Sequence, residues 1–354
     1  MLAMNKKQRR MPAEWEQQTA IQLTWPHAAT DWAEMLPEIS AVYEQMAAEI
    51  MKRQRLIVVT PQPELLPAFV LDNPLVSVVQ CATDDTWARD HGFITVVEDA
   101  DDTQSDRQCT LSDGKCIQAS VKLLDFCFNG WGEKFPASND NQINRHLFDS
   151  GILNGTYESH LDFVLEGGSI ESDGKGTVFT TAHCLLAPHR NQPLTEHDIE
   201  LRLKEYLGAD RIVFLRHGSL IGDDTDGHID TLVRICPDDT LLYIKADADH
   251  PDLMLMEEEL KQLITSTGRP YRLLALPMPE PVVCDGERLP ATYANYLVVN
   301  GAVLVPTYNQ SGNDRQAMAT IQQAFPDRQV VGIDCRAVVR QHGSLHCCTM
   351  QYYQ

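Results

Sequence analysis

The stretch GHIDTLVRI, residues 227–235, opens on a glycine, sets a histidine and an aspartate two positions apart, and runs into a β-branched apolar segment. A turn residue followed by such a run is the signature of a short buried strand. Four further stretches share it: GFITVV from Gly92, GGSIES from Gly167, NYLVVNGAVLVP from Asn295 and LHCCTMQYY from Leu345. They recur roughly fifty to seventy-five positions apart, with helix-like segments between most of them. That spacing predicts ββαβ-sized units repeated five times around a ring. The chemically capable residues fall at the same place in the units: Asp90, Glu166, His228 with Asp230, and Cys347. A ring would bring those strand starts together at its axis.

The intervening segments fit an α/β chain. Thr30 predicts a cap for a helix from Asp31 towards Met51, with Met35, Ile39, Tyr43, Met46 and Ile50 as its apolar stripe. RLIVVT (55–60) and VSVVQC (76–81) read as buried strands. Thr195 and Asp198 form a capping box for a helix over Glu196 to Leu207, with Gly208 as its stop. Further helices are expected over Leu253 to Thr265 and Asp314 to Phe325. Residues 1–10 read as a short basic frayed leader, and the polar residues 99–119 as a hairpin or loop excursion. No linker is visible, so 1–354 reads as a single domain.

Composition narrows the partners. A formal charge of -21 repels phosphate backbones and anionic lipid, which argues against nucleic acid and membrane surfaces and mildly favours a cationic ligand. No run approaches the roughly twenty apolar residues of a membrane-spanning helix. The ten cysteines include no CxxC pair, and Cys127, Cys236 and Cys335 sit in apolar runs, as expected of reduced thiols in a cytoplasmic protein. Cys109 and Cys116, in a polar stretch, could bridge under oxidation.

Three converging carboxylates, Asp90, Glu166 and Asp230, repel one another unless something cationic sits among them. Zinc would accept His228, Asp230 and Cys347, but no second His or Cys pair supplies the usual closing ligands, so neither metal nor cofactor is expected. A substituted guanidinium fits better: it is planar, carries five N–H donors and pairs with carboxylates in bidentate fashion. A cysteine thiolate can attack its central carbon, and His228 can protonate departing ammonia and then activate water. In this reading Cys347 is the nucleophile, Asp90 and Asp230 grip the guanidinium, and Glu166 holds the cation or orients His228. Alternation along a strand would send Cys347 and Cys348 to opposite faces. Trp25 and Trp87 are candidates to wall the substrate's aliphatic arm, and Asp224, with Asp223, to meet a distant ammonium. Arg89 is a candidate to position a carboxylate. His91, His183, His217, His342 and His346 read as structural or supporting residues.

The strings DDTWARDHG (84–92), LEGGSIE (165–171), DDTDGHIDT (223–231), YANYLVVNGAVLVP (293–306) and HGSLHCCTMQ (342–351) resemble the motif set of the agmatine deiminase and bacterial peptidylarginine deiminase family. MPAEWEQQTAIQLTWPH (11–27) and FPDRQVVGID (325–334) extend the resemblance over most of the chain. It implies the pentein fold, a five-bladed α/β propeller around a central active site, and thiol-dependent hydrolysis of a linear amidine C–N bond without cofactor. Carried over residue by residue, it implies Asp90 and Asp230 as guanidinium-binding carboxylates, His228 as general acid and base, Glu166 as an active-site acid and Cys347 as nucleophile. Homo-oligomers, dimers or larger, are also implied.

The sequence departs from the family pattern at Gln341 and His342, in the loop that shapes the substrate end. An acidic distal pocket would select agmatine, giving N-carbamoylputrescine and ammonia in polyamine synthesis. An arginine there would select arginine or peptidylarginine. Two other classes stay open: a Cys and His amide hydrolase, and a guanidine-binding propeller without chemistry.

Overall fold

The computed structural model describes residues 9–98 and 120–353. Within them five sheets of three or four strands follow one another, beside a two-stranded hairpin at Val283–Cys284 and Glu287–Arg288. Each sheet repeats one pattern: a first strand antiparallel to the second, a helical crossover, and a third strand parallel to the second. Val233–Cys236, Thr240–Ile244 and Arg272–Leu276 do so through the helix Pro251–Gln262. Leu297–Val299, Ala302–Thr307 and Gln329–Asp334 do so through Ser311–Ala324. Ile170–Ser172, Thr177–Thr181 and Arg211–Leu215 carry Glu196–Leu207, while Ile94–Glu98, Ser120–Cys127 and Thr156–Val164 carry Asp140–Asp149. The fifth sheet closes the ring: Thr349–Tyr352 runs antiparallel to Ala20–Thr24, which pairs in parallel with Arg55–Thr60 after the helix Leu36–Met51. These are the five ββαβ blades of the pentein fold.

The capping box forms as expected: Asp198 N–H donates to the Thr195 hydroxyl at 3.3 Å, and Thr195 N–H to the Asp198 carboxylate at 2.9 Å. Gly208 then ends the helix at φ 66°. The first long helix starts later than expected, at Leu36. Thr30 turns its hydroxyl back to the His27 carbonyl, Ala33–Met35 forms a 3-10 turn, and Pro37 sits at the helix start. Its stripe of Ile39, Tyr43, Met46 and Ile50 is fully buried. Arg9 and Arg10, read as part of a frayed leader, instead pair antiparallel with Glu98 and Val97. The 99–119 excursion and the Cys109/Cys116 pair lie outside the described residues. Among the described residues no helix is long and apolar enough to cross a membrane.

The residues expected on strands stand one step earlier. Asp90 lies in the one-turn helix Ala88–His91, Glu166 just ahead of the 3-10 turn Gly167–Ser169, and His228 and Asp230 at the 3-10 turn Ile229–Thr231. Gly227, at φ 86°, breaks any extended run before His228. Each turn feeds the first strand of a blade, so five turns meet where the blades converge.

Arg234 pins that convergence. From one blade it donates to Glu171 on the preceding blade, to Glu14 near the start of the chain, and to the carbonyls of Ala294 and Tyr296 at 3.1 and 2.6 Å. Its guanidinium also lies 4.4 Å from the Tyr296 ring centre. Arg234→Met would strand two buried carboxylates, so we expect a loss of about 3–5 kcal/mol in denaturant unfolding. A loss under ~1 kcal/mol would show that the blades are held together elsewhere.

Candidate active site

Backbone closeness at one glycine locates the centre. A Cβ on Gly168 would stand 2.6 Å from His228 Nδ1, 3.0 Å from Asp90 Oδ1 and 3.2 Å from Asp230 Oδ2, so three side chains from two blades surround one backbone position. Asp90 is oriented from two sides, accepting from Gly168 N–H and from Trp131 Nε1–H, both at 3.0 Å. Its Oδ1 stands 3.8 Å from His228 Nδ1. The Cys347 sulfur lies 3.4 Å from Asn295 Oδ1 and 3.8 Å from Asp230 Oδ2. Glu166 accepts from Arg190 Nε at 2.7 Å, and a carboxylate oxygen of Glu166, the Cys184 sulfur and a nitrogen of His228 lie within 4.8 Å of one another.

The charges are all out of water. Burial, then repulsion from Asp230 and Asp90, pushes the Cys347 thiol well above its ordinary range. Burial would lower His228, but Asp90, Cys184 and Glu166 outweigh it and hold the imidazole well above its ordinary value. Burial raises Asp90, with Asp230 and Glu166 adding to the rise and His228 opposing it. Burial works the same way on Asp230, yet His346 and His228 reverse it and leave that carboxyl below its ordinary value. The site thus sets a thiol whose burial and neighbours favour its neutral form beside an imidazole whose neighbours favour its protonated form. Asp230 Oδ1 is buried with no partner among the described residues, as are both ring nitrogens of His228 at hydrogen-bond geometry. Where three donor atoms crowd closely enough for a metal, Arg190 or Arg234 already serves a carboxylate of the group.

A cleft of about 230 Å³ opens onto this centre, bordered by Cys347, Asp90, Trp87 and Trp131, with Asp31, Asp85 and Asp224 also in its wall. Trp87 and Asp224, both singled out from the sequence, border this cleft. Trp25 does not: it packs edge-on against Tyr43, ring centres 5.6 Å apart, in the main apolar core, because the strand before it carries it inward. Asp223 accepts from Thr225 Oγ1 at 2.6 Å and from Gly227 N–H at 2.7 Å, so it shapes the turn before His228. Cys347 and Cys348 lie on a turn ahead of the strand. They still part company: Cys347 borders the cleft, and Cys348 is fully buried in the core.

Four residues escaped the sequence reading. Trp131 sits in the run Gly130–Glu133, four successive residues with φ of 66°, 56°, 86° and 67°; the flag was an aromatic between two glycines in FNGWG. Asn295 holds, in the blade that begins with Leu297–Val299, the place that Asp90, Glu166 and His228 hold in theirs. Asp85 lies inside the quoted DDTWARDHG string. Arg190 left no signal, since nothing local ties it to Glu166. His346, read as supporting, donates to Asp230 at 2.7 Å.

Gly168→Ala should fold and lose most activity, because a methyl there would displace His228, Asp90 and Asp230 together. We expect kcat/KM to fall by about 10²-fold or more, the scale of a misplacement near 1 Å. Undiminished kcat/KM would mean that the three side chains do not act on one substrate.

Known proteins bear directly on this arrangement. The sequence profile of the Porphyromonas-type peptidyl-arginine deiminases matches residues 10–352. A Porphyromonas gingivalis crystal structure described as a candidate arginine deiminase is 46% identical, with a TM-score of 0.86 over 98% of both chains. A cysteine-to-serine variant of C. jejuni agmatine deiminase with substrate bound is 34% identical, with a TM-score of 0.87 over 100% of this chain and 99% of that one. Agmatine deiminase of Pseudomonas aeruginosa is 32% identical over 97% of this chain and 95% of its own. With its cleft, its blades and a match that spans nearly its whole length, this chain belongs to the Porphyromonas-type peptidyl-arginine deiminase family.

Proposed function

We propose that this protein is a cytoplasmic agmatine deiminase that hydrolyses the guanidinium of agmatine to N-carbamoylputrescine and ammonia, with Cys347 as nucleophile. The observation that carries the reading is one cleft bordered by the Cys347 thiol and the Asp90 carboxylate, with Asp230 and His228 around the same glycine. The likeness to agmatine deiminases over nearly the full chain supports it. Eight described cysteines, all free thiols, suit a reducing compartment.

In this mechanism the guanidinium settles between Asp90 and Asp230, its N–H groups donating to the open Asp230 Oδ1 and to Asp90. Its positive charge cancels the repulsion that keeps Cys347 protonated, so the thiol gives up its proton to solvent as the substrate arrives. The thiolate adds to the central carbon, giving a neutral tetrahedral adduct. His228 gives its proton to one nitrogen, which leaves as ammonia, and a positively charged amidino thioether remains on Cys347. Neutral His228 then takes a proton from water as the oxygen adds to the same carbon. The C–S bond breaks, the hydroxyl proton passes to the leaving sulfur and the ureido product departs, restoring thiol and imidazolium, while the ammonia takes up in solvent the proton that the thiol released on substrate binding. Glu166, held by Arg190, keeps the imidazolium favoured.

Asp31, Asp85 and Asp224 in the cleft wall suit the distal ammonium of agmatine. Arg340 also borders the cleft and is the observation that favours an arginine-type substrate with a carboxylate. A colorimetric ureido assay on agmatine, L-arginine and a peptide ending in arginine ranks the two readings, with agmatine expected first. Cys347→Ala should abolish the product, and the unmodified enzyme quenched in acid should carry the amidino adduct on that residue by mass spectrometry. Turnover by Cys347→Ala would sink the mechanism.

Acid sensitivity follows from Asp85. Burial, with Asp31 adding repulsion, pushes its carboxyl up to about 6. As pH falls through that value the group takes a proton and ceases to attract an ammonium. The KM for agmatine should therefore rise about tenfold between about pH 7 and pH 5. In Asp85→Asn the KM should be high already and lose most of that dependence; an unchanged profile would place the ammonium elsewhere.

A further inference from the structure

His346 directly precedes Cys347, and its ring lies between two buried carboxylates. Nδ1 stands 2.7 Å from Asp230 Oδ2, and Nε2 stands 3.0 Å from Glu14 Oε2. An ionised carboxylate can only accept, so satisfying both contacts requires both ring nitrogens to donate. Glu14 is in turn held by Arg234, which also pairs with Glu171, and Glu14 Oε1 accepts from Val298 N–H at 3.0 Å. All five side chains are buried.

The charge balance of this chain of contacts is informative. Glu14, Glu171 and Asp230 are acidic, while Arg234 and Arg89, the second buried beside Glu14 and donating to the His346 carbonyl, are positive. With His346 protonated the set is balanced, and Asp230 Oδ1 is the buried carboxylate oxygen of the set without a partner. With His346 neutral, one uncompensated negative charge would be buried, and Asp230 would be the group free to take up a proton.

We propose that His346 is a positioning residue: as an imidazolium clamped between Glu14 and Asp230, it keeps Asp230 ionised and turned so that Oδ1 stays open to the substrate cation. This rests on the reading of Asp230 as a guanidinium-binding group. The other groups facing Asp230 are His228 and Arg234, which favour its charge, and Asp90 and the Cys347 sulfur, which oppose it. Of the cationic groups among these and His346, His346 is the one in direct hydrogen-bond contact. It thus couples the nucleophile's own turn, the guanidinium clamp and the segment around Glu14, three regions far apart in sequence.

The test uses the full chain carrying Cys347→Ser, which cannot turn over, and agmatine binding measured by calorimetry from about pH 5 to pH 8. Four proteins are compared: this parent, and the parent with His346→Gln, Glu14→Gln or Asp230→Asn. In the parent the affinity should change little through any protonation of Asp230. In His346→Gln the loss should be small at the alkaline end and grow to about tenfold or more at the acid end, one pKa unit corresponding to one decade. Glu14→Gln should move the curve the same way by less. A His346→Gln curve that stays parallel to the parent's overturns the proposal.

If Asp230→Asn binds as tightly as the parent, the guanidinium-clamp reading fails instead. Should the buried substitutions prevent folding, histidine side-chain ¹⁵N spectra of the unsubstituted chain decide the matter. Two histidines with both nitrogens protonated throughout that pH range, His228 and His346, are expected. Spectra in which no more than one histidine stays doubly protonated at the alkaline end overturn the proposal.

Discussion

Carboxylates packed together without water govern this molecule. Asp90, Glu166 and Asp230 are each almost wholly buried, within a short reach of one another and of a sulfur. Like charges so placed cannot all persist unless cations are built in beside them, and each has one: Arg190 for Glu166, His228 for Asp90, His346 for Asp230. What these partners leave over is one open carboxylate oxygen, Asp230 Oδ1, without a partner among the described residues. In the proposed reaction the field that draws a guanidinium also keeps the thiol neutral until it comes, so affinity and nucleophilicity would share an origin. A substrate without the charge would not release the sulfur.

The architecture delivers this by repetition. Five turns, each leading into the first strand of a blade, bring one functional side chain or pair apiece to a shared space. Strands themselves could not do so, since their side chains point alternately into the two faces of a sheet. A turn at the strand's start frees backbone N–H groups as well, and Gly168 uses one to hold Asp90. Rigid blades behind the turns fix the spacing, with Arg234 bridging several of them.

Much of this was readable in the sequence because the repeat is local. GHIDTLVRI and its four counterparts announced the blades, and the capping box at Thr195 marked its helix to the residue. Asp90, Glu166, His228, Asp230 and Cys347 were visible because each sits beside a glycine or aromatic in a short motif. Trp25 went astray since a tryptophan beside an apolar strand looks the same whether it lines a cleft or fills a core. The pairing of Arg190 with Glu166, and of Glu14 with His346, is invisible in principle: the partners are tied only by the closure of the ring. Asn295 was within reach, as the fifth occurrence of a place already noticed four times, but an uncharged amide drew no attention beside carboxylates.

Ring closure has a consequence for how the enzyme comes into being. The strand Thr349–Tyr352, which shuts the circle against Ala20–Thr24, follows Cys347 by a single residue. During synthesis Cys347 is thus among the last parts of the propeller to leave the ribosome, and it emerges together with the segment that seals the assembly. Until that moment the growing polypeptide has blades but neither a finished circle nor the sulfur that borders its cleft. Closure of the circle and completion of the cleft therefore come in one stroke, with this last strand of the propeller.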